Sequence, residues 1–172
     1  MKIYLGTDHA GFELKEKIKY FLLKKNYDVQ DCGAFEFNKN DDYPDFISKV
    51  SKNVSSDPEN SKGIIFGGSG QAEAMLANKF KNVRCALFYS PAIPASAIDA
   101  VGTQSDNPYE IIKLTRTHNN ANILSLGARF LKQEEAINAI SIWLETSFGN
   151  EERHVRRINK IKELENNNSA LP

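Results

Sequence analysis

Short apolar runs alternate along the chain with segments in which apolar residues recur at helical spacing. The runs Lys2–Thr7, Lys62–Phe66, Val83–Phe88 and Asn122–Leu126 are bounded and rich in β-prone residues, and Tyr27–Val29 has the character of a shorter strand. We therefore predict five strands.

The segments between these strands carry the spacing of amphipathic helices. We predict four helices, and their apolar faces are Leu14, Ile18, Phe21 and Leu22; Ala72, Met75 and Leu76; Ile137, Ile140 and Leu144; and, in a last helix that begins near Glu151, Val155, Ile158, Ile161 and Leu164. The polar stretch at residues 35–46, FEFNKNDDYPDF, is predicted to be a loop, because Pro44 excludes a central strand.

Alternation of strands and helices predicts parallel βαβ units with helices on both faces of the sheet. The expected fold class is α/β, a Rossmann-like three-layer sandwich with a five-stranded parallel sheet and a protruding C-terminal helix. We expect one domain over residues 1–165 and a frayed polar tail over residues 166–172. Such sheets bind ligands outside the carboxyl ends of their strands, where Asp8–His9, Gly67–Gly70, Ser90–Pro91 and Gly127–Arg129 follow the predicted strands.

Composition and charge argue against several classes of protein function. The 172 residues carry 22 basic and 22 acidic side chains, so no basic excess favours nucleic acid. No apolar run approaches the ~20 residues of a membrane span, and no signal peptide precedes Asp8. Cys32 and Cys85 lie far apart, and the three histidines lack chelating spacing, so we expect no metal site. These features predict a soluble, cytoplasmic protein.

The glycine-rich segment Gly67–Gly70 has two interpretations. It is either a plain turn or a loop whose N–H groups bind an anion beside a helix N-terminus, and it matches neither a Walker A loop nor the G-x-G-x-x-G spacing. Glu73, in the first helical turn, either complements the helix dipole or acts as a general base. Ser69 is either a helix cap or a hydroxyl that relays a proton.

Two other clusters also admit a structural or a functional role. Asp8 and His9 are an N-cap and a surface residue, or they are ligand-binding groups at the carboxyl edge of the sheet. The basic run Arg153–Arg157 is a solvated helix face or a phosphate clamp. His118 precedes the fifth strand, so it lies away from the site of its own subunit and would serve a neighbour's site in a dimer.

Six segments occur in one order along the chain: GTDHAGFELK, DDYPDF, IIFGGSGQAEAMLANK, VRCAL, THNNANILSLGAR and ERHVRRI. Together they resemble the type B ribose-5-phosphate isomerase family, which includes galactose-6-phosphate and allose-6-phosphate isomerases. The resemblance implies a Rossmann-like fold and a homodimer, or a dimer of dimers, whose sites take residues from both chains. It implies no membrane or nucleic-acid partner and no metal or organic cofactor.

The resemblance also implies roles for single residues. Glu73 matches the base of one branch of the family, whereas the cysteine that serves the other branch is replaced by Gly67. Ser69 matches the proton relay, and Asp8 with the second subunit's His118 matches the pair that opens the sugar ring. The other substrate-binding positions implied are His9, Tyr43, Gly67, Gly68, Gly70, Asn119 and Arg129, with Arg153 and Arg157 from the second subunit.

The expected reaction is the interconversion of ribose 5-phosphate and ribulose 5-phosphate through a cis-enediolate, a step of the non-oxidative pentose phosphate pathway. The alternatives are a hexose-6-phosphate isomerase of the same family and a non-catalytic sugar-phosphate sensor. Two departures from the family pattern bear on substrate choice. Ala72 replaces a usual glycine, and Ala92–Asn107 is an extra segment. We expect this segment to be a loop, with at most a helical turn near Ala95–Ala100, that borders either the site mouth or the subunit contact, or else makes a surface excursion.

Overall fold

A single sheet organises residues 1–168, the part of the chain that its computed structural model describes. The strands are β1 Lys2–Thr7, β2 Asp28–Asp31, β3 Ser61–Gly67, β4 Cys85–Phe88 and β5 Ile123–Gly127. The helices are α1 Phe12–Lys24, α2 Pro44–Ser56, α3 Gln71–Ala77, α4 Glu110–Thr117, α5 Gln133–Glu145 and α6 Glu152–Asn168. A short 3-10 turn, His9–Gly11, leads from β1 into α1.

The strands are all parallel and lie in the order β2-β1-β3-β5-β4. The second strand, β2, lies on one side of β1. The next strand in the chain, β3, lies on the other side of β1, with β5 and β4 beyond it. The order therefore reverses between β1 and β3, where the two chain crossovers leave a crevice at the carboxyl ends of the strands. The predicted five-stranded parallel sheet is confirmed.

Two apolar cores cover the two faces of the sheet, as the three-layer prediction requires. On one face α1, α4 and α5 pack against Ile3, Leu5, Ile64 and Phe66, with Trp143 fully buried. On the other face α2 and α3 pack against alternate strand residues, which are Ile65 and Ile123. Successive side chains of a strand point to opposite faces, so one run such as Ile64–Phe66 serves both cores.

The structure contains two helices that the sequence patterns did not predict. Helix α2 begins at Pro44, inside the segment that we predicted to be a loop, and it buries Ile47, Val50 and Val54. Proline fits the first position of a helix because its missing N–H has no intrahelical acceptor there. Helix α4 has only eight residues, and within them Ile112 is the fully buried aliphatic residue, so its periodic signal is weak.

The buried face of α3 also differs from the prediction. Met75 is 65% exposed, whereas Glu73, Ala74 and Ala77 are buried. Small alanines let this short helix lie close to the sheet, and the buried position that remains is filled by a carboxylate.

Helix α6 lies beside the β4 edge of the sheet, where Glu165 accepts a 3.0 Å hydrogen bond from the N–H of Asn82, while Ile161 and Leu164 are 48% and 62% exposed. It continues to Asn168, three residues into the segment that we expected to fray. Residues 169–172, the rest of that predicted tail, lie outside the described residues. Over residues 1–168, none of the helices combines the length and apolar character required to cross a membrane.

A buried ammonium group ties α1 to the end of β2. The side chain of Lys15 is fully buried, and its Nζ donates to both carboxylate oxygens of Asp31, at 2.8 and 2.7 Å, and to the Ala34 carbonyl at 2.6 Å. Asp31 also accepts a 2.8 Å hydrogen bond from Lys19. Burial raises the pKa of Asp31, but the hydrogen bonds from the two lysines outweigh it, so this pKa lies below its ordinary value of 3.8.

Replacement of Lys15 by methionine should therefore lower the free energy of unfolding by about 3–5 kcal/mol, because a buried carboxylate loses its main partner. Urea unfolding followed by circular dichroism at neutral pH measures this difference. Since the pKa of folded Asp31 is lowered, its stabilisation is complete above the unfolded value of 3.8 and is lost as pH falls below it.

Lys19→Met is the matched control, since it removes the same charge from the same carboxylate. Lys19 is 26% exposed, so its loss should cost about 1 kcal/mol or less. Equal losses in the two variants would contradict a special role for the buried ammonium group.

Candidate active site

The residues that leave β1 and β3 meet at the point where the strand order reverses. Asp8 follows β1 directly and caps the 3-10 turn, because its Oδ1 accepts a 2.9 Å hydrogen bond from the backbone N–H of Ala10. The loop Gly67–Gly70 follows β3 and leads into α3. The structure thus brings together Asp8, His9, Glu73 and the glycine loop, as predicted from their positions after the strands.

The Glu73 carboxyl group occupies the space directly over Gly67. A Cβ atom built on Gly67 would overlap the carboxyl carbon and both carboxyl oxygens of Glu73. Any side chain at position 67 and the present position of Glu73 are therefore mutually exclusive. This overlap is the physical reason why a chain with glycine here can place a carboxylate where a cysteine side chain would otherwise lie.

Glu73 is only 4% exposed, and burial raises its pKa above the ordinary value of 4.5. Its own backbone N–H lowers this pKa, and the negative charge of nearby Asp8 raises it further. A carboxylate with a raised pKa is a stronger proton acceptor than an exposed one, because its charged form is less well solvated. Glu73 therefore has the electrostatic setting of a general base.

Hydrogen bonds hold the glycine loop in a fixed conformation. The carbonyl of Gly67 accepts from the N–H of Ala128 at 2.8 Å, and the carbonyl of Gly68 accepts from the N–H of Arg129 at 3.1 Å. Gly70 has a φ of 75°, in the left-handed region that favours glycine, and the hydroxyl of Ser125 donates to its carbonyl at 2.7 Å. The loop after β3 is thus anchored to β5 and to the loop that follows β5.

Ser69 and Arg129 border this loop from two sides. The Oγ atom of Ser69 lies 3.4 Å from the N–H of Gln71, a long contact that leaves the hydroxyl available to a ligand. A Cβ atom on Gly68 would lie 3.3 Å from the guanidinium group of Arg129, so this cation sits against the loop backbone.

A cavity of about 390 Å³ lies between the start of α1 and the segment after β5; neither residues 67–70 nor Glu73 line it, and Arg129, which contacts Gly68, connects it to the glycine loop. His9 and Arg129 line it, together with Glu13, Lys17 and Phe37. The backbone N–H and the ring Nδ1 of His9 both contact one carboxylate oxygen of Asp41, at 2.9 and 2.7 Å. Arg129 and Lys17 are cationic, His9 becomes so when protonated, and Glu13 is the one anionic side chain among the described residues that line the cavity, so the lining is suitable for an anion.

Asp8, His9 and Asp41 bring potential metal-ligating atoms within 4.8 Å of one another. An ionised carboxylate only accepts hydrogen bonds, so the 2.7 Å contact requires a proton on His9 Nδ1. In this arrangement Nδ1 and Asp41 Oδ1 contact each other directly, so the cluster is a hydrogen-bonded acid and histidine.

Tyr43 lies at the N-cap of α2, at the same edge of the sheet as the cavity. Its ring is half-buried against the core between the sheet and helices α2 and α3. The structure places it near the predicted site and gives it no contact that assigns a role.

The remaining predicted site residues lie at the opposite end of the sheet. His118 caps the C-terminus of α4, before β5 begins, and its ring stacks on His154 of α6 with a centroid separation of 4.1 Å. His118, Asn119 and Arg157 line a separate cavity of about 470 Å³. Arg153 lies on the same helix, where its Nε donates to Glu151 at 2.9 Å. Within one chain, the predicted site residues therefore lie at two opposite edges of the sheet.

The extra segment Ala92–Asn107 forms a loop without a helix, in agreement with the expected irregular structure. A cavity of about 500 Å³ lies between this loop, the end of β4 and α4, and its lining includes Ile93, Ile98 and Ile111. Whether the segment modulates the site mouth or a subunit contact stays a prediction.

Two features of the site escaped the sequence analysis. Asp41 stands in the quoted DDYPDF segment, but the sequence gives no sign that it contacts His9, 32 positions away. The steric role of Gly67 was also missed, since only the structure shows that Glu73 fills the space over it. The first contact joins two loops that the fold brings together, and the second depends on the direction in which the Glu73 side chain turns after β3.

Comparison with known proteins gives consistent results over the whole chain. A sequence model of the ribose/galactose isomerase family matches residues 3–103 and 100–161. The chain is 37% identical over 172 residues to ribose-5-phosphate isomerase B of Mycolicibacterium paratuberculosis, and the match covers 100% of this chain and 96% of that relative. The corresponding enzyme of Mycobacterium leprae is 36% identical, over 100% of this chain and 94% of its own.

Solved structures show the same similarity. Ribose-5-phosphate isomerase B from Mycoplasma genitalium, with bound ribulose-5-phosphate, superposes with a TM-score of 0.83 at 34% identity, and the match covers 96% of each chain. The enzyme from Clostridium thermocellum gives a TM-score of 0.81 at 34% identity, over 97% of this chain and 99% of that chain.

The shared space of Gly67 and Glu73 leads to a test that needs no knowledge of the reaction. In Gly67→Ala the new methyl group should displace the Glu73 carboxylate toward solvent. Because burial is the main cause of the raised pKa, the pKa of Glu73 should fall toward 4.5. A pH titration of carboxyl-labelled glutamate by NMR measures this pKa.

Gly68→Ala is the control, because its methyl group would meet only the flexible Arg129 side chain, at 3.3 Å. The pKa of Glu73 should then stay raised. A pKa in Gly67→Ala equal to that of the unsubstituted protein would show that the carboxylate does not depend on the empty space.

Proposed function

The chain belongs to the ribose/galactose isomerase family, and from this membership we propose that it interconverts ribose 5-phosphate and ribulose 5-phosphate. Relatives of the same length carry the name ribose-5-phosphate isomerase B, and one similar structure holds ribulose-5-phosphate. In this chain, the observation that carries the proposal is the buried carboxylate of Glu73 over Gly67, in a loop that Arg129 connects to a cavity suited to a phosphate.

The proposed reaction moves one proton between neighbouring carbons. Glu73 takes the proton from C2 of the open-chain aldose, and the electron pair forms the C1–C2 double bond of a cis-enediolate. Glu73 then returns the proton to C1, while Ser69 moves a proton between O1 and O2, so that C2 becomes the ketone carbon. A positioned base of raised pKa suits this step, since it accepts a proton more readily than an exposed carboxylate does.

The enediolate oxygen carries negative charge and needs fixed donors. The N–H groups of Gly68 to Gly70 are the candidates, because the loop is already held in place and needs no reorganisation during the reaction. The phosphate, bound near His9 and Arg129, supplies binding energy that positions the carbon chain over Glu73. The proposal requires neither a metal ion nor an organic cofactor.

The proposal includes a homodimer with shared active sites. His118, Asn119, Arg153 and Arg157 lie at the amino end of β5, away from Glu73 of their own chain. A second chain that presents this edge to Glu73 of the first chain would complete the site. His118 of one chain and Asp8 of the other would then act together on the closed sugar ring. A dimer of dimers is compatible with the same contact. The location that we propose is the cytoplasm, since a doubly charged sugar phosphate does not cross a bilayer unaided.

Replacement of Glu73 by glutamine should lower kcat for ribose 5-phosphate by about 10²–10⁴, because the amide keeps the size of the side chain but cannot accept a proton. KM should change little. Turnover is measured in the presence of a chelator, with allose 6-phosphate and galactose 6-phosphate run alongside to test the hexose alternative.

Glu134→Gln provides the matched control, since Glu134 also lies in the first turn of a helix but is exposed. Its kcat should equal that of the unsubstituted enzyme. A near-normal kcat in Glu73→Gln would refute the assigned base, and lack of turnover of every sugar phosphate by the unsubstituted protein would favour a sensor.

Mixing two inactive variants tests whether the site is shared. In a dimer of one Glu73→Gln chain and one Arg157→Ala chain, one site carries both changes and the other carries neither. After full subunit exchange, activity at low substrate concentration should recover to about a quarter of normal, because half of the dimers are mixed and half of their sites are intact.

The control mixture pairs Glu73→Gln with the double variant Glu73→Gln, Arg157→Ala, which cannot form an intact site. Failure to recover activity after exchange has been verified by mass spectrometry would mean that each chain builds its own site.

A further inference from the structure

His9 and Asp41 are in direct hydrogen-bonding contact. One carboxylate oxygen, Oδ1, receives both the backbone N–H of His9 at 2.9 Å and its ring Nδ1 at 2.7 Å. The two residues are 32 positions apart, so the contact joins the turn after β1 to the loop before α2. Two hydrogen bonds to one oxygen fix the backbone and the ring of His9 at the same time.

Asp41 is largely buried at this contact. Its side chain is 9% exposed, and its second oxygen, Oδ2, is buried without a hydrogen-bond partner in the part of the chain that the structure describes. A buried carboxylate with a free oxygen is unfavourable unless a nearby cation compensates its charge. The nearest such group is the His9 ring, whose Nδ1 lies 2.7 Å from the other oxygen.

The second ring nitrogen of His9 remains available to a ligand. Nδ1 is held by Asp41, and the edge of the ring meets Phe37 at a centroid distance of 6.4 Å. His9 lines the 390 Å³ cavity together with Arg129. The charged groups that face the ring come from four segments: Asp8, Asp41, Glu13 and Lys17, and Arg129.

We propose that Asp41 is a positioning residue, which orients His9 and favours the protonated form of its ring, so that Nε2–H and Arg129 together bind the phosphate of the substrate. This inference rests on the proposed function, because it takes a sugar phosphate as the ligand. Asp41 itself touches no substrate atom.

The charges around His9 agree with this role. The hydrogen bond to Asp41 is the largest cause that raises the pKa of His9 above its ordinary value of 6.5, partial burial lowers it, and the charges of Asp8 and Asp41 raise it again. A neutral histidine would offer only one N–H, already used by Asp41. The cationic ring offers a second N–H, and charge-assisted hydrogen bonds to phosphate are stronger than neutral ones.

The test is Asp41→Asn, which keeps an oxygen that accepts both hydrogen bonds but removes the charge. Ring-labelled histidine gives three NMR signals, and His9→Gln identifies the one of interest. We expect the pKa of His9 to lie above 6.5 in the unsubstituted protein and to fall in Asp41→Asn. Asp42→Asn, an exposed neighbour, is the control and should leave the pKa of His9 unchanged.

Inorganic phosphate serves as the probe for binding, because its affinity does not depend on turnover. Between the pKa of His9 in the variant and its higher pKa in the unsubstituted protein, the Kd of phosphate should weaken about fivefold in Asp41→Asn, because only the variant has lost the charge-assisted bond there. The difference should vanish at lower pH, where the ring is cationic in both proteins. A merely structural role of Asp41 would instead weaken binding equally at every pH.

The outcomes separate this inference from the proposed function. A His9 pKa at or below 6.5 in the unsubstituted protein overturns the inference even if the variant does not fold. An unchanged pKa in Asp41→Asn, or a pH-independent loss of phosphate affinity, overturns it while leaving the isomerase intact. Normal phosphate binding with the expected pH dependence, but no turnover of ribose 5-phosphate, overturns the proposed function alone.

Discussion

The reversal of strand order between β1 and β3 brings two loops together at one edge of the sheet, and the space over Gly67 then decides what this edge can do. A side chain at this position would exclude the carboxylate of Glu73. The absence of a Cβ atom is thus a positive requirement, because it lets a first-turn glutamate turn back over the strand that precedes its helix. Burial there raises the pKa of Glu73, which links one steric fact to the acid–base chemistry proposed for the site.

The buried charges near this edge form a connected support. Lys15 holds Asp31 at the end of β2, and Asp31 also accepts a 2.9 Å hydrogen bond from the N–H of Gly33. The Gly33 carbonyl in turn accepts from Thr7, the residue before Asp8, at 2.8 Å. The ammonium group of α1 therefore fixes the start of the loop that carries Asp41, while Asp41 fixes His9 at the end of β1. Hydrogen-bonded charge pairs such as Lys15 and Asp31 rigidify such a region, and rigid donors are what a phosphate site needs.

The sequence predicted the centre of this sheet well because β1, β3 and β5 are bounded apolar runs, and parallel strands buried on both faces have that appearance. It missed α2 and α4 for different reasons. Pro44 suggested a loop, although proline is favoured at the first position of a helix, and α4 is too short to establish a period. Glu73 and Asp8 were predicted from their place after strands, whereas Asp41 depends on how a loop folds across the sheet edge. Local patterns carry no information about such contacts.

The segment Ala92–Asn107, which we expect to be an addition to the family pattern, forms a loop beside the sheet. The N–H of Ala92 donates to the Pro108 carbonyl at 2.9 Å, so the two ends of the segment meet and the loop closes on itself. The closed base of the loop follows the carboxyl end of β4. There the Cβ of Tyr89 would lie 2.8 Å from a Cβ atom added at Gly127.

The family model matches the chain in two pieces, residues 3–103 and 100–161, which overlap within this segment. Because the two ends of the loop are hydrogen-bonded together, a longer loop changes the surface beside the carboxyl edge of the sheet. The positions of Gly67, Glu73 and Arg129 depend instead on β3, α3 and β5. The chemistry and the local surface can therefore vary independently in this chain.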